Sequence, residues 1–210
     1  MKVLIFNILL LFLCSSFASA QESKYDKRVK SYQSGWQSLI PTHTKLQFAG
    51  SIGLFSVGAG WDYGKKDQWE TDILFGIVPR YSTREVKMTF TIKQNYIPWN
   101  IRLGEKGFSF DPLTCGLYVS TISGEGFWGT EPDRYPDGYY NMSTKVRFHI
   151  FLGERISYRI PPVKRWFFKE LTFFYELSSS DLYIVSAVQN SYLKPKDYIH
   201  LSLGLKLQFF

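Results

Sequence analysis

Most of the chain after residue 44 alternates apolar and polar residues with a period of two. In the clearest run, residues 198–209, the apolar positions are Ile199, Leu201, Leu203, Leu205, Leu207 and Phe209. Strict alternation over this length is typical of a β-strand that presents two different faces. Residues 142–158, 86–96 and 170–178 repeat the pattern. The sequence therefore predicts an all-β fold.

Turn residues divide this pattern into eight predicted strands. We place the strands near residues 44–51, 54–63, 68–79, 85–97, 111–122, 142–158, 167–178 and 198–210. Residues 51–53 are either a tight hairpin or the middle of one longer strand. Residues 181–193 are either a ninth strand or part of a long loop. Because no internal repeat or linker interrupts residues 44–210, we expect them to form a single domain.

Residues 1–20 have the features of a Sec-type signal peptide. A positive charge precedes an apolar run that ends at Cys14, and residues 18–20 form a small-x-small cleavage pattern. The apolar run is shorter than the roughly 20 residues that a membrane-spanning helix needs. Lipidation at Cys14 is the alternative, but Leu13 stands where such sites usually have a small residue. We predict cleavage near Ala20.

Residues 21–43 are predicted to contain an amphipathic helix. Apolar residues recur there at spacings of three and four, at Tyr25, Val29, Tyr32, Trp36 and Leu39. This spacing places them on one face of a helix, and Pro41 ends the pattern. The apolar face either packs against the rest of the domain or lies at a membrane surface.

Composition narrows the class of protein. The sequence has 25 Lys+Arg against 18 Asp+Glu, a formal net charge of +7, and 18% aromatic residues. A disordered chain is poor in aromatic residues, so we expect a folded protein.

The sequence contains no recognisable motif for a metal or a cofactor. Cys115 has no intrachain cysteine partner once the signal peptide is removed. His43, His149 and His200 lack zinc-ligand spacing, and no phosphate loop or dinucleotide fingerprint is present. We therefore predict no metal and no cofactor. Basic residues alternate with apolar ones, which disfavours nucleic acid as a partner.

Alternation alone does not decide which face of the sheet is inside. Charged residues recur at mid-strand on the polar faces, whereas the apolar faces are almost free of charge. Aromatic residues fall near predicted strand ends, where membrane barrels have aromatic girdles. They are Trp61, Tyr63, Trp69, Tyr96, Phe167 and Phe209. These features favour a transmembrane barrel with its apolar face outward. A soluble periplasmic ligand-binding barrel is the alternative.

The signal peptide, the eight alternating strands and the C-terminal segment 205–210 together resemble the small outer-membrane β-barrels of Gram-negative bacteria. The resemblance implies an eight-stranded antiparallel up-and-down barrel in outer-membrane lipid, with both ends and the N-terminal helix in the periplasm. The loops that would face outside are those near 80–84, 123–141 and 179–197. Members usually end on an outward-facing aromatic residue, whereas here alternation places Phe209 outward and Phe210 on the polar side.

The interior of an eight-stranded barrel is just wide enough for side chains to fill it. Opposite charges at inward positions are expected to pair, because an unpaired buried charge is strongly unfavourable. The predicted lumen charge network comprises Asp62, Glu70, Asp72, Lys87, Lys93, Lys145, Arg147, Arg155, Glu170, Glu176 and Lys206. Lys45, Glu85 and Arg159 are further charged residues at inward positions. We expect a plugged lumen. A small channel is the alternative, and the excess of positive charge leaves anion binding open.

Glu176, Ser178 and His200 are the candidates for catalysis. They lie near the same ends of two neighbouring predicted strands, so that nucleophile, base and acid could converge. The scaffold resembles the outer-membrane lipid A deacylases, which carry a His-x-Ser pair on the lipid-facing side of the seventh strand. Tyr175 and Leu177 stand at the matching positions, which argues against that activity. The trio is otherwise interpreted as part of a hydrogen-bond network in the lumen.

One predicted outer loop, residues 123–141, is rich in aromatic residues: Phe127, Trp128, Tyr135, Tyr139 and Tyr140. These side chains either contact an envelope glycan or protein partner or pack on the barrel rim. The sequence thus favours a non-enzymatic outer-membrane protein with an envelope structural, adhesion or partner-binding role. An outer-membrane lipid-acting hydrolase or acyltransferase on the same scaffold is the alternative.

Overall fold

The structure is a computed structural model that describes residues 24–80, 86–123, 145–189, 194 and 198–209. The helices are α1 (Lys24–Gln37) and α2 (Asp181–Gln189), with a short 3-10 helix at Pro162–Lys164. The strands are β1 (His43–Ala49), β2 (Phe55–Tyr63), β3 (Trp69–Val78), β4 (Lys87–Tyr96), β5 (Ile101–Leu103), β6 (Phe108–Ile122), β7 (Val146–Arg159), β8 (Glu170–Ser180) and β9 (His200–Gln208).

Eight of the strands form one closed antiparallel ring. Each strand pairs with its neighbours in sequence order, apart from β5, and the ring closes where β1 pairs with β9 and β4 pairs with β6. Strand β5 forms only a short hairpin with the start of β6. The predicted fold class, an eight-stranded antiparallel up-and-down barrel preceded by a helix, is confirmed.

The barrel places its polar side chains inside and its apolar side chains outside. On β9, Ser202 and Lys206 are buried, whereas Leu203 and Leu205, which lie between them, are exposed. The other ring strands follow the same rule on their outer faces, so an apolar belt surrounds the barrel. On the inner face, Leu74, Tyr118, Phe151 and Phe174 are the buried apolar exceptions among the described residues of the ring strands. This is the reverse of a soluble barrel, in which the apolar face is the buried one.

Glu154 is an exception on the outer face of β7. It lies opposite Tyr175 on β8, and the Tyr175 hydroxyl donates a hydrogen bond to its carboxylate. Leu152 and Ile156, two residues away on either side of it, are exposed. Hydrogen bonding to Tyr175 lowers the penalty of placing a carboxylate among apolar neighbours.

The two ends of the barrel differ in their aromatic residues. At the terminal end, where β1 begins and β9 ends, the ring centroids of Trp69 and Tyr96 are 4.6 Å apart and those of Phe108 and Tyr158 are 4.8 Å apart. Phe209 joins this group, with its ring centroid 5.5 Å from that of Phe167. At the far end the aromatic contact between β1 and β2 is Phe48 on Phe55, at 5.1 Å. The terminal end therefore carries a girdle of the kind found at membrane interfaces.

Residues 50–54 form a tight turn between β1 and β2, which settles the choice left open by the sequence. Gly50 and Gly53 have φ angles of 80° and 125°, a region in which glycine is favoured. The turn inserts Ile52 into the far end of the lumen, where it is 1% exposed. A Cβ atom at Gly76 would overlap the carbonyl oxygen of Ile52. The absence of a side chain at residue 76 thus makes room for this plug.

Two segments differ from the predictions. Residues 181–189 form α2 and neither a strand nor an irregular loop. Asp181 lies in its first turn, where a carboxylate interacts favourably with the helix dipole. Residues 98–110, which form the loop between the predicted strands 85–97 and 111–122, contain the β5–β6 hairpin, whose bend uses Gly104 and Gly107 with positive φ. Strand β5 has only three residues, which is too short for a recognisable alternation of polar and apolar residues.

Helix α1 belongs to a different compact unit from the described strands, with the boundary between Ile40 and Pro41. The predicted helix is confirmed, and none of its residues is buried. Tyr32 and Trp36 pack edge to face at 6.0 Å along its apolar side. Within the described residues, no helix has both the length and the apolar character needed to cross a membrane.

Candidate functional site

The centre of the lumen is organised around Glu70 on β3. Its side chain is 0% exposed and accepts hydrogen bonds from Lys45, Arg155 and Lys206. Arg155 binds in the bidentate manner, with Nη1 3.0 Å from Oε2 and Nη2 3.1 Å from Oε1. Charge-assisted bidentate contacts are among the stronger hydrogen bonds in proteins. One carboxylate therefore ties together strands β1, β3, β7 and β9.

Two further carboxylates extend this network. Lys45 Nζ lies 2.6 Å from Asp72 Oδ2, and Lys206 Nζ lies 2.6 Å from Asp62 Oδ1. His43 bridges the two acids, with Nε2 2.8 Å from Asp72 and Nδ1 3.1 Å from Asp62. Three basic side chains thus face three acidic ones. We call these six residues the central network: Lys45, Arg155, Lys206, Asp62, Glu70 and Asp72.

A second ion pair lies beside the central network. Lys93 bonds Glu176, and its ammonium group lies 4.1 Å from the ring centroid of Phe151. The far end of the lumen beyond it is apolar, with four buried side chains in mutual contact: Ile52, Leu74, Tyr118 and Phe151. A buried cation over an aromatic ring gains cation–π stabilisation. The interior is therefore closed by ion pairs at its centre and by apolar packing at its far end.

This closed lumen predicts that the protein does not conduct ions. Purified protein inserted into planar lipid bilayers is expected to give no current above the lipid baseline, because side chains fill the barrel interior. A porin inserted under the same conditions provides the positive control. Reproducible conductance steps from the protein would contradict a closed lumen and favour a small channel.

The terminal end of the lumen is open by contrast. A cavity of about 1020 Å³ lies there, and we call it the vestibule. Its inner end is formed by Asp62, Arg155 and Lys206 of the central network, with Ser157 and Thr172 beside them. The lining toward the entrance comes from the β2–β3 turn, the segment 97–102 and the ends of β7, β8 and β9. Since the central network blocks its inner end, the vestibule is a blind pocket.

The structure distributes the eleven predicted lumen residues over five environments. Asp62, Glu70, Asp72, Arg155 and Lys206 belong to the central network, and Lys93 and Glu176 form the second pair. Arg147 pairs with Asp181 at 3.7 Å and Glu170 with the exposed Arg159 at 3.3 Å. Lys87 and Lys145 lie at the far-end starts of β4 and β7, outside both groups.

Two residues that bond the central network, His43 and Asn95, were missed from the sequence. His43 has no neighbouring carboxylate in the sequence, yet two strands bring Asp62 and Asp72 to its ring. Asn95 donates to Asp72 at 2.7 Å and accepts from Arg155 at 3.2 Å. The alternation of polar and apolar residues places both His43 and Asn95 at inward positions, and this feature of the sequence could have identified them as lumen residues.

Glu176, Ser178 and His200 do not form a catalytic triad in the structure. Ser178 lies opposite His200 in register, but its hydroxyl contacts the backbone carbonyl of His200 at 3.5 Å. The imidazole of His200 instead lies near the ring of Tyr183, at 5.4 Å, and Glu176 bonds Lys93. In a triad, a hydrogen bond joins the nucleophile to the base and another joins the base to the acid. The side chains of Ser178, His200 and Glu176 are not connected in this way.

Ligand atoms of His43, Asp62 and Glu70 lie within 4.8 Å of one another, a spacing that could hold a metal ion. The carboxylates of this group already bond Lys206, and Glu70 also bonds Lys45 and Arg155. A divalent cation would have to displace these buried cations. The group therefore fits a network of internal ion pairs better than a metal centre.

The aromatic residues of loop 123–141, which were predicted either to contact a partner or to pack on the barrel rim, lie outside the described residues. They are Phe127, Trp128, Tyr135, Tyr139 and Tyr140.

No protein-family model matches this chain, and no curated protein matches it. Among solved structures, it is similar to the crystal structure of the N-terminal β-barrel domain of Pseudomonas aeruginosa OprF. The two share 12% sequence identity with a TM-score of 0.37, over 80% of this chain and 98% of that one. The barrel assignment itself rests on the strand pairings of this chain, which close the sheet.

Proposed function

We propose that this protein is a non-enzymatic outer-membrane β-barrel with an envelope structural, adhesion or partner-binding role. The observation that carries the proposal is an apolar outer belt around a lumen closed by ion pairs. Soluble monomers rarely expose apolar surface of this extent, whereas a closed barrel satisfies its backbone hydrogen bonds in lipid. The far-end loops, including 123–141, are the proposed contact surface for an envelope glycan or protein.

A lipid-acting hydrolase or acyltransferase on the same scaffold is the rival function. It would need a nucleophile with a base within hydrogen-bond distance. Ser178 and His200 have no such side-chain contact, and both lie on the inward face, away from lipid. The described geometry therefore favours the non-enzymatic function.

Fractionation of a Gram-negative host that expresses the full chain tests the location. We expect the protein in the outer membrane, with Gln21 as its first residue by mass spectrometry of the intact protein. Unboiled and boiled samples should migrate differently on a gel, because a folded barrel resists unfolding by the gel detergent until it is heated.

A soluble periplasmic fraction with no mobility shift on boiling would overturn the membrane location. Membrane enrichment with Met1 still present would retain the barrel and remove only the signal-peptide prediction. A known outer-membrane barrel and a periplasmic enzyme from the same cells serve as controls for the fractionation.

A further inference from the structure

The vestibule is a polar pocket whose occupant the proposed function does not explain. It opens at the terminal end, on the side opposite the far-end loops, and ends blindly against the central network. Its volume of about 1020 Å³ is at the upper end of the range of small-molecule sites, ~300–1,000 Å³. A pocket of this form can hold a small ligand but cannot pass one through the barrel.

The charge of the lining favours an anion. Six basic residues line the vestibule, Lys66, Arg102, Arg155, Arg159, Lys169 and Lys206, against the four acidic residues Asp62, Asp67, Asp111 and Glu170. Lys206 and Arg159 are paired with Asp62 and Glu170. Within the described part of the chain, Lys66, Arg102 and Lys169 have no ion-pair partner. These three cations are available to a ligand at the entrance.

The inner end of the vestibule offers hydrogen-bond donors that are already in place. Arg155 is 3% exposed, and its Nε atom is buried without a hydrogen-bond partner among the described residues. Ser157 Oγ and Thr172 Oγ1 lie 2.8 Å apart, and both residues are buried. Two hydroxyls carry two protons and their mutual bond uses one, so that one proton remains for an acceptor. Ser157 and Thr172 both line the inner end of the vestibule, so an oxyanion oxygen there could accept this proton.

We infer that the vestibule is a binding site for a small oxyanion, a molecule that carries a carboxylate or phosphate group. The oxyanion accepts from the Ser157–Thr172 hydroxyl pair at the inner end, beside the guanidinium of Arg155, while Arg102 and Lys169 balance its charge at the entrance. Trp99, which also lines the vestibule and is exposed, covers the apolar part of the ligand. This inference does not depend on the far-end loops or on their partner.

Isothermal titration calorimetry of the mature protein in detergent micelles tests the site. The probes are inorganic phosphate, succinate and choline, at constant ionic strength set with sodium chloride. We expect saturable binding of phosphate or succinate in the low-millimolar range or tighter, and none of choline. Binding of phosphate alone would assign the site to phosphate groups, and binding of succinate alone would assign it to carboxylates. Absence of saturable binding by both anions would overturn the site.

Matched variants separate a built site from a general surface charge. Arg102→Gln with Lys169→Gln removes two entrance cations and is expected to weaken binding roughly tenfold, the loss expected for about one charge-assisted hydrogen bond. Lys106→Gln with Lys164→Gln makes the same change in net charge at exposed residues outside the vestibule, and should leave affinity unchanged. Equal losses in both would overturn the inference. Retained heat-modifiability in both pairs shows that the barrel still folds, so failure here leaves the membrane location standing.

Discussion

Replacement of Glu70 by glutamine is expected to lower the free energy of unfolding by about 3–5 kcal/mol, the usual range for removal of one partner from a buried ion pair. Glutamine has nearly the same shape, so the change isolates the charge. Lys45, Arg155 and Lys206 would then share only Asp62 and Asp72. Urea unfolding of the refolded protein in lipid vesicles, followed by tryptophan fluorescence, measures the effect.

The matched control for this prediction is Glu170→Gln at the end of β8. Glu170 pairs with Arg159, whose side chain is 60% exposed, so its loss should change stability by only about 0–1 kcal/mol. The double variant Glu70→Gln with Lys206→Met restores the balance of charge and is expected to recover part of the loss through a coupling of roughly 0.5–3 kcal/mol. Equal effects of Glu70→Gln and Glu170→Gln would refute a central role for Glu70.

Replacement of Ile92 by arginine is expected to destabilise the protein in a bilayer by about 2–4 kcal/mol, as for basic residues at the bilayer midplane. Ile92 lies at the middle of β4, faces outward, and is 50% exposed between Ile73 and Val119 of the neighbouring strands. In a soluble barrel the same change at an exposed position would alter stability by only about 0.5 kcal/mol or less. The measurement again uses urea unfolding in vesicles.

Leu103→Arg is the control for this second prediction. Leu103 is exposed to a similar degree, 45%, but it belongs to the short β5–β6 hairpin at the terminal end. There the cost of an arginine falls to about 0–1 kcal/mol. If Ile92→Arg proved as mild as Leu103→Arg, the apolar belt would not be in contact with lipid.

Much of the barrel was predictable because a β-strand with one polar and one apolar face shows an alternation of polar and apolar residues in the sequence. The alternation on β9 continues without a break from Ile199 to Leu207, and the ring strands fall within a few residues of the predicted positions. The outward direction of the apolar face followed from the charges on the opposite face. Helix α2 was missed because the short run 182–188, which is apolar apart from Ser186, is as compatible with a strand as with a helix.

The candidate site was predictable only as a set of inward positions. Alternation identifies Glu70 and Arg155 as inward residues, but their contact joins residues that are 85 positions apart in the sequence. The register that the β-ladders and barrel closure impose decides which charges meet. The same geometry separates Ser178 from the imidazole of His200, although the two residues are opposite each other on neighbouring strands.

The sequence by itself determined the fold class, the eight strands of the ring and the face of the sheet that is exposed. These depend on local periodicity and on the high cost of placing a charged side chain in an apolar environment. Tertiary structure alone decided where the lumen is closed and where it is open. The Ile52 plug depends on the space left by Gly76, the central network depends on the meeting of β1, β3, β7 and β9, and the vestibule is the volume that these contacts leave unfilled. Such features arise from contacts between distant segments, which no local pattern encodes.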